Sequence, residues 1–157
     1  MAGKSVAIVL SIAIAIVAGM FYTAPSRTFE QIVTASRMGD MTAFANLVNM
    51  ERIRSKMKMD MRSRLNSQAE GAGTANDLGK SLVNMLGSAL SAGVSQMINA
   101  EDLALEISRS KDFSLTWQNG STTLVSMTFA DSKKPPLHII LERQGLFQWV
   151  AVALEPR

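Results

Sequence analysis

The chain has 157 residues, no cysteine, one histidine and a formal net charge of +3. Disulfides, thiolate metal sites and a cysteine nucleophile are therefore excluded. The length admits one domain and at most an anchor, and the 133 residues after position 24 suffice for one packed core.

Residues 6–22 (VAIVLSIAIAIVAGMFY) carry no charge. These 17 positions lie at the lower edge of the roughly 17–25 needed for a spanning helix. Val6, Ile8, Leu10, Ile12, Ile14 and Ile16 would meet lipid, and Phe21 and Tyr22 close the run as an interfacial aromatic belt does. Pro25 is expected to break the helix where it reaches water, so the anchor is placed at 1–24 and the domain at 25–157. A cleaved signal peptide is the competing reading, with Lys4 as its short basic region. Cleavage after Gly19 would leave Met20, Phe21 and Tyr22 exposed, and cleavage after Ala24 puts bulky Tyr22 at −3 and Pro25 just after the cut. An uncleaved anchor is the expectation. Basic residues are nearly balanced across the span, with Lys4 before it and Arg27 and Arg37 after it. A short N-terminal tail normally stays in the cytoplasm. The expected topology is therefore a single-pass bacterial inner-membrane protein with a cytoplasmic N-terminus and a periplasmic domain.

Beyond the anchor, Ser26 or Thr28 can cap a helix to about Met38, with Phe29, Ile32, Val33 and Ala35 as its apolar stripe. Gly39 ends it. Asp40 caps a short helix with Phe44, Leu47 and Val48 inward. Asn49 caps a third, running to about Asn66, whose stripe is Met50, Ile53, Met57, Met61 and Leu65. Residues 67–76 (SQAEGAGTAN) read as a loop. A long helix with three glycines is expected over 77–98. Asn99 and Asp102 then cap a last short helix to about Ser108.

The period next switches to two. Phe113, Leu115 and Trp117 alternate in a first strand, Asn119-Gly120 turns the chain, and Thr123, Val125, Met127 and Phe129 alternate in a second. Residues 131–136 turn, 137–143 form a third strand, and 146–154 a fourth after Gln144-Gly145. Short connections imply an antiparallel meander. The fold class is α+β: an anchor, then about five helices packed on one face of four strands.

Little of this carries chemistry. His138 falls on the opposite parity to Leu137, Ile139 and Leu141, which reads as an ordinary strand residue on the less buried face. A lone histidine cannot build a zinc site, no GxSxG marks a serine nucleophile, and no glycine-rich phosphate loop is present. No cofactor, metal site or catalytic residue is expected. The charge is uneven, however. Residues 50–66 hold six basic and two acidic side chains, a local +4 against −1 elsewhere. Arg52, Lys56, Lys58, Arg62 and Arg64, with Met59 off the apolar stripe, form either a solvated face or a surface for anionic lipid or a protein partner. Nucleic acid is not expected, since no aromatic side chain lies among them for stacking.

The stretch TFEQIVTASRMGDMTAFANLVNMERIRSKMK resembles the opening of the bacterial domain-of-unknown-function 2939 family, short proteins with an N-terminal hydrophobic segment. Asp40, Val48, Arg54 and Lys58 fit the family pattern; Asn49 stands where the family usually has aspartate and Ile53 where it often has leucine. NAEDLALEI resembles the family's middle, and ERQGLFQWVAVALEP its C-terminal hairpin, through Arg143, Gln144, Gly145 and Trp149. The resemblance implies no activity. Its residues have structural readings: Gly145 suits a turn with positive φ, and Trp149 and Arg143 pack across the last hairpin. A curved sheet covered by helices would look like the cone of nuclear transport factor 2.

The expected function is a non-enzymatic accessory or interaction protein, held in the bilayer and bound to a protein partner in a membrane complex. The alternatives are a module that binds an apolar small molecule near Trp117, Phe129 and Trp149, and an enzyme using carboxylates and His138.

Overall fold

The computed structural model describes residues 2–71, 99–131, 133 and 135–155, with the side chains of 2–7, 9 and 68–71 left out. Among these, four helices and four strands follow one another: α1 (Ala2–Met38), α2 (Met41–Leu47), α3 (Met50–Gly71), α4 (Ala100–Ser108), β1 (Ser110–Asn119), β2 (Thr122–Phe129), β3 (Leu137–Arg143) and β4 (Trp149–Glu155).

The first departure from expectation is Pro25. It lies inside α1, which runs unbroken for 37 residues, about 55 Å at 1.5 Å per residue. The anchor and the first helix of the domain are therefore one element, and the boundary placed at position 24 falls within it. Pro25 has no N–H for the Phe21 carbonyl, a defect that costs about 3 kcal/mol in a helix interior. Packing outweighs it. Phe29, Ile32 and Val33, one to two turns later, are all buried, and each contributes roughly 1.5–3 kcal/mol by leaving water. Ala24, Thr28, Ala35 and Ser36 are buried beside them.

Local signals set the next boundaries. Gly39 adopts φ +70, and Asp40 N–H reaches back to the Ala35 carbonyl at 2.9 Å, so α1 ends in a left-handed turn. No atom lies within 4 Å of a Cβ built on Gly39. The cost of a side chain there is thus backbone strain alone, and Gly39→Ala should lower stability by about 1–2 kcal/mol in urea unfolding. Asp40 accepts from Ala43 N–H at 2.9 Å, Asn49 from Arg52 N–H at 3.0 Å and Asn99 from Asp102 N–H at 2.7 Å, capping α2, α3 and α4 as their sequences require. α3 continues to Gly71, five residues beyond the expected end, so 67–71 are helical rather than loop. The rest of that loop and the long helix expected over 77–98 lie outside the described residues.

The sheet is an antiparallel meander in the order β1-β2-β3-β4. β1 and β2 join through Gly120 and Ser121, with Asn119 opposite Thr122, so the turn sits one residue later than expected. Asn119 Oδ1 accepts from both Ser121 N–H and Ser121 Oγ at 2.9 Å. Thr123, Val125, Met127, Ile139, Leu141, Trp149 and Ala151 are buried toward the helices. β4 has one extra residue: Ile140 pairs with Ala153 but Leu141 with Ala151. This bulge at Val152 switches parity. Leu154 joins the main core, while Val152, Ala153 and Ile140 form a small cluster with Leu124 and Val150. β4 starts at Trp149, later than expected, because 144–148 form a loop in which Gln144 N–H donates to the Gln148 carbonyl at 2.9 Å.

His138 lies on the face of β3 that is slightly less buried than that of Ile139 and Leu141; it is itself buried, and its Nδ1 shares a 2.8 Å hydrogen bond with Ser126 Oγ. Their opposition across β2 and β3 places the two side chains together. Gly145 does not have positive φ. A Cβ there would make ordinary contact with the Gln148 side chain at 3.4 Å.

Candidate functional site

Contacts at three places tie α1 after position 20 to β1, which runs antiparallel to it. The Arg37 guanidinium donates to the Ser110 carbonyl at 3.2 Å. Phe29 meets Phe113 edge to face at 4.8 Å. Phe21 stacks on Trp117 at 5.9 Å, and Tyr22 meets the same indole at 5.7 Å. The strand thus descends from the end of α1 toward its apolar N-terminal half. The lower end of the sheet, holding Trp117, Trp149 and Arg143, lies level with the last residues of the apolar run.

There the side chains form one seat. Trp117 lies edge-on to Trp149 at 5.3 Å, and the Arg143 guanidinium sits 4.9 Å above the Phe21 ring. Aromatic pairs of this kind add about 0.5–1.5 kcal/mol each beyond burial, and the cation adds a similar amount at a partly exposed ring. Arg143 and Trp149 are opposite each other in β3 and β4, as the last-hairpin reading requires. The partner of the Arg143 cation, however, is Phe21 from the anchor. Sequence reasoning named Phe21, Tyr22, Arg143 and Trp149 for separate reasons and missed that they meet. Trp117 was the missing link, its position at the end of β1 being the available signal.

Below this seat no other element among the described residues is shown packing against α1. Ile8, Leu10, Ile12, Ile14, Ile16, Val17 and Met20 are all exposed, while the side chain of Val6 lies outside the described ones. Residues Leu10–Met38 include a stretch long and apolar enough to cross a membrane. A bare apolar cylinder of this length is far larger than the patches that monomeric soluble domains leave in water.

The basic helix presents a second surface. On α3, Met59, Arg62 and Arg64 are exposed and Lys56 and Lys58 half-buried. Ile53 is the only fully buried member of its apolar stripe among the described side chains, while Met50 and Met57 are partly covered. Arg52 is engaged: its guanidinium is 2.7 Å from the Glu142 carboxylate, with both side chains well over a third exposed. A double-mutant cycle on Arg52→Ala and Glu142→Ala should give a coupling of about 0.2–1 kcal/mol that fades in high salt. Arg54 is half-buried, so the family-like arginine points partly inward.

The residues named for an apolar ligand do not converge. Trp117 and Trp149 touch, but their space is shared with Phe21 and Tyr22. Phe129 lies opposite Ser110 at the other end of β2, six residues from the Trp117 partner Thr123 and so about 20 Å away. Among the described residues, the buried polar atoms without a hydrogen-bond partner are Thr123 Oγ1, Trp149 Nε1 and His138 Nε2. Among the described residues no three histidine, aspartate or glutamate side chains gather at metal-binding distance. A cleft of 430 Å3 lies between α1 and α2, lined by Gln31, Met38, Ala43 and Leu47 among others.

The chain matches the family model described as "Protein of unknown function (DUF2939)" over residues 14–105, which is from the middle of the apolar run to α4. Arg143, Gly145 and Trp149 lie beyond the matched stretch. No curated protein and no solved structure matches the chain, so neither lends support to the cone-like analogy. With more than half of its length matched, this chain belongs to the DUF2939 family.

Proposed function

We propose that the protein is a membrane-anchored, non-catalytic accessory or interaction protein, held in the bacterial inner membrane with a cytoplasmic N-terminus and a periplasmic domain. The observation that carries this reading is the continuity of α1. One helix offers apolar side chains to lipid over its first half and core side chains to the domain over its second. Phe21 and Tyr22 pack on Trp117 of the domain, so cutting after Gly19 or Ala24 would unseat or remove groups that the fold uses. These contacts support retention of the segment, and with it anchoring over secretion.

The partner surface in this reading is the outer face of α3. Its exposed Met59, Arg62 and Arg64 offer flexible apolar contact beside positive charge, a combination suited to an acidic protein surface. The test is affinity purification of the full chain from native membranes in mild detergent, followed by intact-mass analysis of the complex. A second protein in fixed stoichiometry, lost in an Arg62→Glu, Arg64→Glu variant, is the expected result. A monomer with no stoichiometric companion would overturn the accessory role.

A further inference from the structure

The loop between β3 and β4 has an unusual composition for a surface loop. Residues 144–148 are Gln, Gly, Leu, Phe and Gln, with no charge. Leu146 is 73% exposed and Phe147 42% exposed, so neither joins the core although both are large and apolar. They follow directly on Arg143, whose guanidinium lies over Phe21. Arg143 N–H also donates to the Ser121 carbonyl at 2.9 Å, which sets the loop beside the uncharged β1–β2 turn. β3 descends toward the apolar half of α1, and the loop leaves it at the level of Phe21. Leu146 and Phe147 are therefore carried to the height at which the apolar run ends.

We propose that this loop is a second membrane contact, with Leu146 and Phe147 entering the headgroup–acyl boundary of the leaflet from which α1 emerges. The inference rests on the anchored reading of α1 and goes beyond it: the domain lies on the bilayer surface and does not stand off it. Three observations select lipid as the occupant. The exposed pair lies in the loop that leaves β3 after Arg143, whose guanidinium sits over Phe21 at the end of the apolar run. The aromatic and arginine side chains at this end of the sheet, Tyr22, Trp117 and Arg143, are the types that settle at a membrane interface. The loop and the neighbouring turn carry no acidic residue that would be repelled by anionic headgroups. At the opposite end of the sheet, the β2–β3 turn bears Asp131 and Lys133 and is exposed, as expected for an end in water.

The absence of cysteine makes the test clean. Single substitutions Leu146→Cys, Phe147→Cys, Lys133→Cys and Ile14→Cys are introduced into the full chain. Each is labelled with an environment-sensitive fluorophore in nanodiscs of phosphatidylethanolamine and phosphatidylglycerol. Labels at 146 and 147 should emit to the blue of the label at 133 and be quenched by lipids brominated high on the acyl chain. The label at 14 should be quenched best by bromine deep in the bilayer. Water-like emission without quenching at both 146 and 147, with Ile14→Cys still deep in lipid, would overturn the loop contact and leave the anchor intact. Water-like emission at all four sites would overturn the anchored reading as well. Both loop positions are exposed, so substitution there leaves the core untouched, and agreement between them guards against a local effect of either label.

Discussion

Replacing Phe29 by alanine should remove about 3–5 kcal/mol of stability, the range for truncating a fully buried aromatic side chain. Phe29 is 0% exposed and lies where α1 crosses β1, edge to face with Phe113. Its loss opens a cavity between α1 and the strand that descends beside it. Neither can move in to fill it, because Trp117 and Ser110 fix β1 to α1 on both sides of the gap. Domains of this size are stable by only about 5–15 kcal/mol in all, so the variant should be close to unfolding at ambient temperature. Urea unfolding in detergent, followed by tryptophan fluorescence, measures it. Leu105→Ala is the matched control: Leu105 is half exposed on α4 and should cost under about 0.5 kcal/mol. A Phe29→Ala midpoint equal to that of the control would show that α1 is not part of the domain core.

The second large effect concerns membrane partition. Ile14 is the centre of the apolar run and is exposed in the structure, so the domain does not use it. An arginine near the middle of a spanning helix costs roughly 2.5–3.5 kcal/mol, and the isoleucine it replaces contributes about 0.3–0.6 in the other direction. Ile14→Arg should therefore shift the insertion equilibrium by two orders of magnitude or more, since about 1.4 kcal/mol is a factor of ten. Domain stability should stay unchanged. Alkaline extraction of membranes should release the variant and leave Ile14→Leu in the pellet. If both remain in the pellet, residues 6–22 are not what holds the chain to the membrane.

The elements that sequence reasoning placed well are those controlled by neighbours in the chain. Asp40, Asn49 and Asn99 each accept an amide hydrogen bond three residues on, and the capping residue carries that information itself. The alternation in β1, β2 and β3 was equally local. What failed was decided by distant contacts. Pro25 has a strong preference for ending helices, and burial of Phe29, Ile32 and Val33 overrides it. Leu146 and Phe147 look like strand residues because they are apolar, but the loop hydrogen bonds from Gln144 and Gly145 to Gln148 hold them out of the sheet. Of the candidate site, the apolar run and the basic stretch were legible as composition. The seat made by Phe21, Tyr22, Trp117, Arg143 and Trp149 was not, because its members come from α1, β1, β3 and β4. Glu142, the partner of Arg52, was hidden for the same reason.

The unbroken path of α1 from bilayer to core is tested most directly by the mass of the protein recovered from its native membranes after alkaline washing. A 17.0 kDa product that includes residues 6–22 and stays with the lipid is the predicted result. A water-soluble, folded product that starts after Gly19 or Ala24 would contradict it, because such a domain would stand without the apolar run and, in the second case, also without the Phe21 and Tyr22 rings that pack on Trp117.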